Sequence, residues 1–292
     1  MTTRTHEPLA QTDHDHLPET GAEILVERER GWPSLRLWEL WEARELLYFL
    51  VWRDVKVRYK QTALGVAWAV LQPILTVVVF TVFFNRVANI STGDVPYPVF
   101  ALAGLVPWLF LANGVTIGSA SLVANANVIT KVYFPRLVIP TAATLSGAPD
   151  FAIAFVITLI VAACYGIFPT LAILAVPFVL LLVLATGLGA SIWLSAANVE
   201  YRDVRYVVPV ALQLWLLATP IVYPANQLHS PWNVILGLNP MAGAVEAFRW
   251  AVIGTPFPSV GLVLTSAVVA LVMLGSGAFY FRAMERRFAD II

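Results

Sequence analysis

Apolar residues run along this chain in long blocks divided by short charged islands, and five windows contain no Asp, Glu, Lys or Arg. A membrane-spanning helix needs about 20 such residues, because every backbone polar group must be satisfied inside the segment. The window 61–85 predicts one span, at about 37 Å of helix. The window 95–130 predicts a second over Pro98 to Leu122. The window 151–199 breaks at Gly166-Ile-Phe-Pro169 and holds two spans joined by a tight external turn. The piece before that turn is too short alone, so the third span starts near Leu137 or Thr141 and takes Asp150 into the membrane. A fifth span is expected over about Val207 to Tyr223 and a sixth over about Ser259 to Phe281. Between them, Pro224 to Pro258 is too apolar for a solvated loop and too rich in Pro and Gly for a straight span. A re-entrant pair of short helices fits it best, since irregular backbone at membrane depth must be covered by protein or line a water-filled cavity.

Upstream of the spans the pattern changes. From Ser34, a possible N-cap, to Lys60, apolar Leu37, Leu40, Trp41, Leu47, Val51 and Val55 recur at helical spacing against charged positions. The apolar run Leu46 to Trp52 cannot span. The helix, with Arg53 among its residues, is therefore expected to lie in the cytoplasmic interface, with Trp41 and Trp52 at headgroup level and Lys56, Arg58 and Lys60 facing anionic lipid. It serves either as an anchor or as a docking platform. Residues 1–30 read as a disordered cytoplasmic tail, low in apolar content, with three histidines that lack the supporting shell a metal site needs. The predicted fold is thus an all-α integral membrane protein: tail 1–30, amphipathic interface helix 31–60, and a six-span domain 61–292 with a re-entrant hairpin between helices 5 and 6.

Composition sharpens the class. The chain is 59% apolar and 12% charged, against about 25% charged in soluble domains, so an ordinary soluble globule is excluded. The first 60 residues hold 9 Lys/Arg and 11 Asp/Glu, leaving 9 and 7 for the other 232. With the N-terminus inside, sixteen of the eighteen Lys/Arg fall on cytoplasmic segments, which sets both termini in the cytoplasm. The single cysteine, Cys164, excludes an internal disulfide framework. No Gly-x-x-x-x-Gly-Lys-Ser/Thr, His-Glu-x-x-His or Gly-x-Ser-x-Gly motif occurs. Ionisable groups in or near the membrane reduce to Asp150, Glu246 and Arg249, too few for the proton relay of a secondary transporter. Asp150 must face the protein interior, either as a gate or substrate contact or hydrogen-bonded to polar groups such as Ser146; the structural role is favoured. Glu246 and Arg249, at i, i+3, permit a local ion pair that fixes the hairpin. The chain reads as a conduit whose energy comes from elsewhere.

Four residue strings extend this reading. They are the run Tyr-Phe-Leu-Val-Trp-Arg-Asp-Val-Lys-Val-Arg-Tyr-Lys-Gln-Thr from Tyr48 to Thr62, followed by Leu64-Gly65, Trp68 and Gln72-Pro73; Asn125 to Arg136; Asn198 to Val204; and Leu238-Asn239-Pro240 with Glu246 to Trp250. Together they resemble, in order and from about Gly31 to the end, the ABC-2 type permeases that export O-antigen, capsular polysaccharide or teichoic acid. The resemblance implies a homodimer docked on two copies of a separate ABC ATPase subunit that carries ATP and Mg, with no cofactor in this chain. It implies that the loop 125–136 is a coupling helix in the ATPase cleft, with Asn127, Lys131, Tyr133, Phe134 and Arg136 as its contacts, and that the interface helix lies against the same subunits. It further implies that the first and fifth spans border a channel for lipid-linked polysaccharide. A path for sugars should offer aromatic platforms that bind each ring weakly, and Trp68, Trp108, Trp193, Trp215, Tyr223, Trp232 and Trp250 are candidates, with Tyr223, Trp232 and Trp250 ranking highest. No nucleic-acid partner is expected. A drug or small-lipid exporter is the alternative within the superfamily, and an integral-membrane glycosyl- or acyltransferase is the alternative of another class.

With no phosphate-binding loop in the sequence, the purified chain alone should neither bind nor hydrolyse ATP. Isothermal calorimetry with ATP and Mg checks this, and stoichiometric binding would contradict it.

Overall fold

The computed structural model describes residues 41–60, 66–87, 92–131, 134–225 and 232–291, all within one compact unit, Pro33–Ile292. The N-terminal tail lies outside the described residues. Every regular element among the described residues is helical: α1 Arg44–Lys60, α2 Val66–Phe80, α3 Tyr97–Ala124, α4 Ala126–Ile129, α5 Val138–Leu145, α6 Ala148–Cys164, α7 Val176–Glu200, α8 Val204–Ala218, α9 Trp232–Gly237, α10 Pro240–Ile253 and α11 Val260–Ile291. A π-helical segment, Thr81–Val87, extends α2, and a 3-10 turn, Leu171–Ala175, leads into α7.

Five segments are long and apolar enough to cross a bilayer: Ala67–Phe84, Tyr97–Ala124, Val138–Cys164, Leu171–Glu200 and Val260–Glu285. The third of these comprises α5 and α6, offset at Ser146-Gly147, so Asp150 lies in the first turn of α6. The predicted break after it is present, with Gly166 at φ 76°, a left-handed conformation that favours glycine. The expected fifth span is shorter than the hydrophobic pattern indicates. α8 has 15 residues, about 22 Å, and ends at Ala218 instead of continuing to Tyr223. The cause is Pro220, whose ring disfavours the helical region for the residue before it; Thr219 is extended at φ −97°, ψ 139°. The sixth segment runs on past its predicted end as α11, 32 residues long.

The stretch expected to form two short helices holds α9 and α10. Asn239 caps α10, its side-chain Oδ1 accepting from the Met241 N–H at 3.0 Å, and Pro240 occupies the first turn. All residues of α10 except Glu246 and Trp250 are buried, so α10 is part of the core.

α3 and α7 are the central pair, and α11 packs along α7. The main apolar cluster includes Leu102, Val106 and Leu111 of α3, Val183 of α7, and Met241 and Phe248 of α10. A second cluster joins Leu122, Ile129, Leu137, Ile192, Phe281 and Phe288 near the C-terminal end of α11. α2 stands at the periphery, with Leu75, Val78 and Phe83 about half exposed. Close approach of α7 and α11 rests on glycine: a Cβ on Gly277 would sit 2.6 Å from the Gly189 carbonyl oxygen. Small residues allow this backbone contact, which lipid-embedded helices use in place of a hydrophobic driving force.

Gly277→Ala should therefore wedge α7 from α11 and cost about 1–3 kcal/mol of stability. A lower melting temperature in detergent is expected, whereas Gly261→Ala, where a Cβ meets nothing within 4 Å, should leave it nearly unchanged.

Candidate functional site

The C-terminal end of α1 is fastened to the start of α6. Arg58 forms an ion pair with one oxygen of Asp150 and donates a hydrogen bond to Ser146 Oγ at 3.1 Å, while the Tyr59 hydroxyl donates to the other carboxylate oxygen. Burial first, and then the bond to Asp150, pushes the Tyr59 phenol above its ordinary value, which keeps it a donor. One turn earlier, Arg53 pairs with Asp54 at 2.9 Å and donates to Asn125 Oδ1 at 3.1 Å. This corrects the expected lipid-facing placement of Arg58, which turns inward because a partly buried carboxylate requires a counter-charge. Asp150 is partnered across helices, and Ser146 reaches it only through the shared guanidinium. Trp41, Trp52 and Lys56 remain exposed, and the Lys56 ammonium lies 5.3 Å from the Trp52 ring centroid.

The expected coupling loop divides into an outward and an inward part. Asn127, Val128, Thr130 and Lys131 are exposed around the single turn of α4. Tyr133 lies outside the described residues. Phe134 instead packs against the second apolar cluster. Arg136 donates to the Glu285 carbonyl at 2.9 Å and stands 5.9 Å from the Phe288 ring centroid, which fixes the loop to α11. Of the four expected contacts among the described residues, Asn127 and Lys131 form the outward surface.

Far along the chain, Arg249 is fully buried. Its guanidinium donates to the carbonyls of Phe100 (3.3 Å), Pro220 (2.6 Å) and Ile221 (2.6 Å), and pairs with Glu246 at 2.9 Å. It also lies 3.5 Å from the centroid of the Phe100 ring. The i, i+3 pair is present as predicted, but the arginine belongs to the core and not to an external surface. Gly104 makes room for it, since a Cβ there would meet Arg249 Nη2 at 2.6 Å.

The aromatic candidates separate by environment. Trp108 is 3% exposed and packs edge-to-face on Trp215 at 5.7 Å. Trp215 donates its indole N–H to Asn239 Oδ1 at 2.9 Å. Asn239 in turn donates to the Ala218 carbonyl at 3.2 Å and to Thr219 Oγ1 at 3.0 Å. Sequence reading quoted Asn239 within a string but missed that it joins α8 to α10; its place before Pro240, as an N-cap, was the available signal. Trp215 and Tyr223 line a cavity of about 430 Å³ together with Asn239. Trp250 packs on Phe257 at 4.8 Å, Trp193 stacks on Tyr280 at 5.0 Å, and the Trp232 side chain lies outside the described residues. Trp68 is 57% exposed and borders a second, larger cavity of about 650 Å³ between α2, α3 and α6, with Arg58, Tyr59 and Asp150 also lining it. Among the described residues, no three His, Cys, Asp or Glu side chains cluster to hold a metal ion.

Five segments long and apolar enough to cross a bilayer, a further helix fastened to them and a short exposed loop make a multi-pass membrane protein. Residues 45–253 match the family described as ABC-2 type transporter, and the chain belongs to that family. It is 30% identical to the O-antigen export system permease protein RfbA of Myxococcus xanthus, over 87% of this chain and 98% of that protein. It is 28% identical to the protein of the same name from Klebsiella pneumoniae, over 85% and 95% of the two chains. It is 25% identical to the polysialic acid transport protein KpsM of Escherichia coli, over 80% and 91%. Members of this family are the membrane subunits of exporters, so an ATPase partner is implied.

Replacing Arg249 by Met would strand Glu246 and three carbonyls in the core, at a cost of about 3–5 kcal/mol. The variant should lose folded protein on size-exclusion chromatography after detergent extraction. Lys, which keeps the charge but not the planar fork, should recover only part of it.

Proposed function

We propose that this chain carries lipid-linked polysaccharide from the cytoplasm across the inner membrane as the permease subunit of an ATP-driven exporter. The observation that supports this most strongly is the near full-length match to permeases named for O-antigen export and polysialic acid transport. The working assembly is a homodimer on two ATPase subunits, which hold the ATP and Mg; this chain contributes no catalytic residue of its own. Both termini face the cytoplasm, in keeping with the distribution of Lys and Arg. The chain crosses six times, the fifth crossing being α8 extended by the segment from Thr219 to Tyr223, and α9 with α10 form a re-entrant hairpin at the outer mouth. The domain plan is that of the sequence: tail 1–30, interface helix 31–60, transport domain 61–292.

Exposed apolar faces on α2 (Trp68, Leu75, Val78) and α8 (Val210, Leu214, Leu217) are the surfaces that two copies would present to each other and to the channel. Trp215 and Tyr223, at the smaller cavity, and Trp250, beside the hairpin, supply ring faces for sugars in transit. Energy enters at Asn127 and Lys131, with the interface-helix residues Trp41, Trp52, Arg53 and Lys56 alongside. The link from Arg53 to Asn125 joins these two surfaces. Arg58 with Asp150 then passes the movement to the third span. A drug exporter of the same family is the weaker reading, since the relatives named above are exporters of polysaccharide.

Vesicles containing this permease and its ATPase should accumulate polysaccharide in an ATP-dependent manner, and no accumulation with an active ATPase would refute the assignment. Lys131→Glu with Asn127→Ala should weaken ATPase association about tenfold, or roughly 1.4 kcal/mol, leaving the melting temperature unchanged. Phe134→Ala, by contrast, should lower the melting temperature, because that ring is packed inside.

A further inference from the structure

Helix capping accounts for only a quarter of what the Asn239 side chain does. One acceptor suffices for an N-cap, and Asn239 gives that to the Met241 N–H at 3.0 Å. The same amide holds three further partners, all from α8 and the residue after it. Its Oδ1 also accepts from the Trp215 indole at 2.9 Å, and its Nδ2 donates to the Ala218 carbonyl at 3.2 Å and to Thr219 Oγ1 at 3.0 Å. Two acceptor and two donor positions are all that an amide possesses, so the group is used completely. Serine or aspartate would cap the helix as well. Neither could serve the other three partners: an ionised aspartate has no proton for Ala218 and Thr219, and a serine hydroxyl stands one bond nearer the backbone.

The backbone beneath this amide is itself fixed. The Asn239 N–H donates to the Leu236 carbonyl of α9 at 3.0 Å, and its carbonyl accepts from the buried Ser266 Oγ of α11 at 3.2 Å. From that base the side chains close a circuit. Trp215 donates to Asn239, Asn239 donates to Thr219, and the Thr219 hydroxyl donates back to the Trp215 carbonyl at 2.8 Å. A network with every member satisfied is rigid. The Trp215 ring is restrained from a second direction by its edge-to-face contact with the buried ring of Trp108. A hydrogen bond at the indole nitrogen and a packed neighbouring ring together fix both side-chain torsions. In that pose Trp215 borders the cavity of about 430 Å³ with Tyr223 and Pro240.

An aromatic surface that binds sugars weakly gains from being ordered beforehand, because ordering a mobile side chain subtracts from affinity each time a ring arrives. We infer, on the export reading and with Trp215 as a sugar platform, that Asn239 is a positioning residue for transport. It holds the Trp215 ring in the pose that a passing sugar meets and ties that pose to the outer end of α8. With its own polar atoms all engaged, Asn239 acts on the polysaccharide only through Trp215.

The test labels the permease–ATPase complex with 5-fluorotryptophan, places it in lipid nanodiscs open to solution on both faces, and titrates it with maltoheptaose, a neutral glycan used as the probe. The Trp215 fluorine signal is assigned by its loss in Trp215→Phe. In the native complex it should be a single line that shifts progressively with maltoheptaose. Asn239→Ser keeps the cap but cannot reach the indole. There the line should broaden or split, and half-saturation should rise about threefold to tenfold, the range for ordering one side chain on binding. In the vesicle export assay, Asn239→Ser should raise the half-saturating polysaccharide concentration and leave the maximal rate unchanged. Trp215→Phe, which keeps a ring and loses the N–H, should behave likewise, and adding Asn239→Ser to it should have no further effect. A purely structural Asn239 would instead lower the maximal rate, with additive losses in the double variant. Should Asn239→Ser fail to assemble, the native complex decides: the Trp215 indole N–H must exchange slowly with deuterium, and its fluorine signal must move with maltoheptaose. Fast exchange, a signal that maltoheptaose does not move, an unchanged titration in Asn239→Ser, or additive losses would each overturn the proposal. Export by the native complex alongside any of these results leaves the export function standing.

Discussion

The membrane fold is organised around one buried guanidinium. Arg249 has no contact with water, so its charge is tolerable only while Glu246, three backbone carbonyls and the Phe100 ring surround it. Those acceptors come from α3, from the turn after α8 and from α10 itself. Meeting the needs of one arginine therefore sets the distances among three separate parts of the chain. The turn at Pro220 and Ile221 has left helical hydrogen bonding, and the guanidinium replaces the donors those carbonyls lose. Tyr97 completes the arrangement by donating to the Val222 carbonyl at 3.1 Å. A broken backbone buried inside the helical bundle is thus held by side chains where helix geometry cannot satisfy it.

The other end of the bundle follows similar physics with weaker burial. Asp150 could not remain charged near lipid by itself, and Arg58 and Tyr59 close over it from a helix that does not cross the membrane. Because separating those charges in a medium of low dielectric is costly, α1 and α6 are bound to move together. With Arg53 tied to Asn125, α1 and the exposed loop are hydrogen-bonded into one piece. Arg136, fixed to α11, marks where that piece meets the rest of the protein.

Much of the architecture was legible in charge-free windows, since the bilayer penalises charge so steeply that span positions follow from it. The turn at Gly166 and the two short helices α9 and α10 were legible from Gly and Pro for the same local reason. What was hidden is what depends on distant partners. Asp150 announced that it needed a counter-charge, but Arg58 is 92 positions away and sits on a helix whose spacing suggested lipid contact. The pairing of Arg249 with Glu246 was legible, but its full burial was not, because one charge in a Pro- and Gly-rich stretch carries no sign of depth. The short α8 was misjudged because hydropathy counts apolar residues whether or not a proline has ended the helix. The family strings marked the loop 125–136 but could not tell which of its residues face outward, and Phe134, expected at its surface, packs against the second apolar cluster.

The brevity of α8 bears on the bilayer as much as on the protein. At 15 residues it is about 22 Å long, against a hydrocarbon thickness of roughly 30 Å. Lipid beside a short apolar element must compress to match it, at a cost of a fraction of a kcal/mol for each ångström of mismatch. A membrane standing against α8 alone would accordingly be thinner than its surroundings. On the export reading proposed above, a hydrophilic polymer passing there would have less hydrocarbon to be shielded from, and the protein a shorter insulated wall to build.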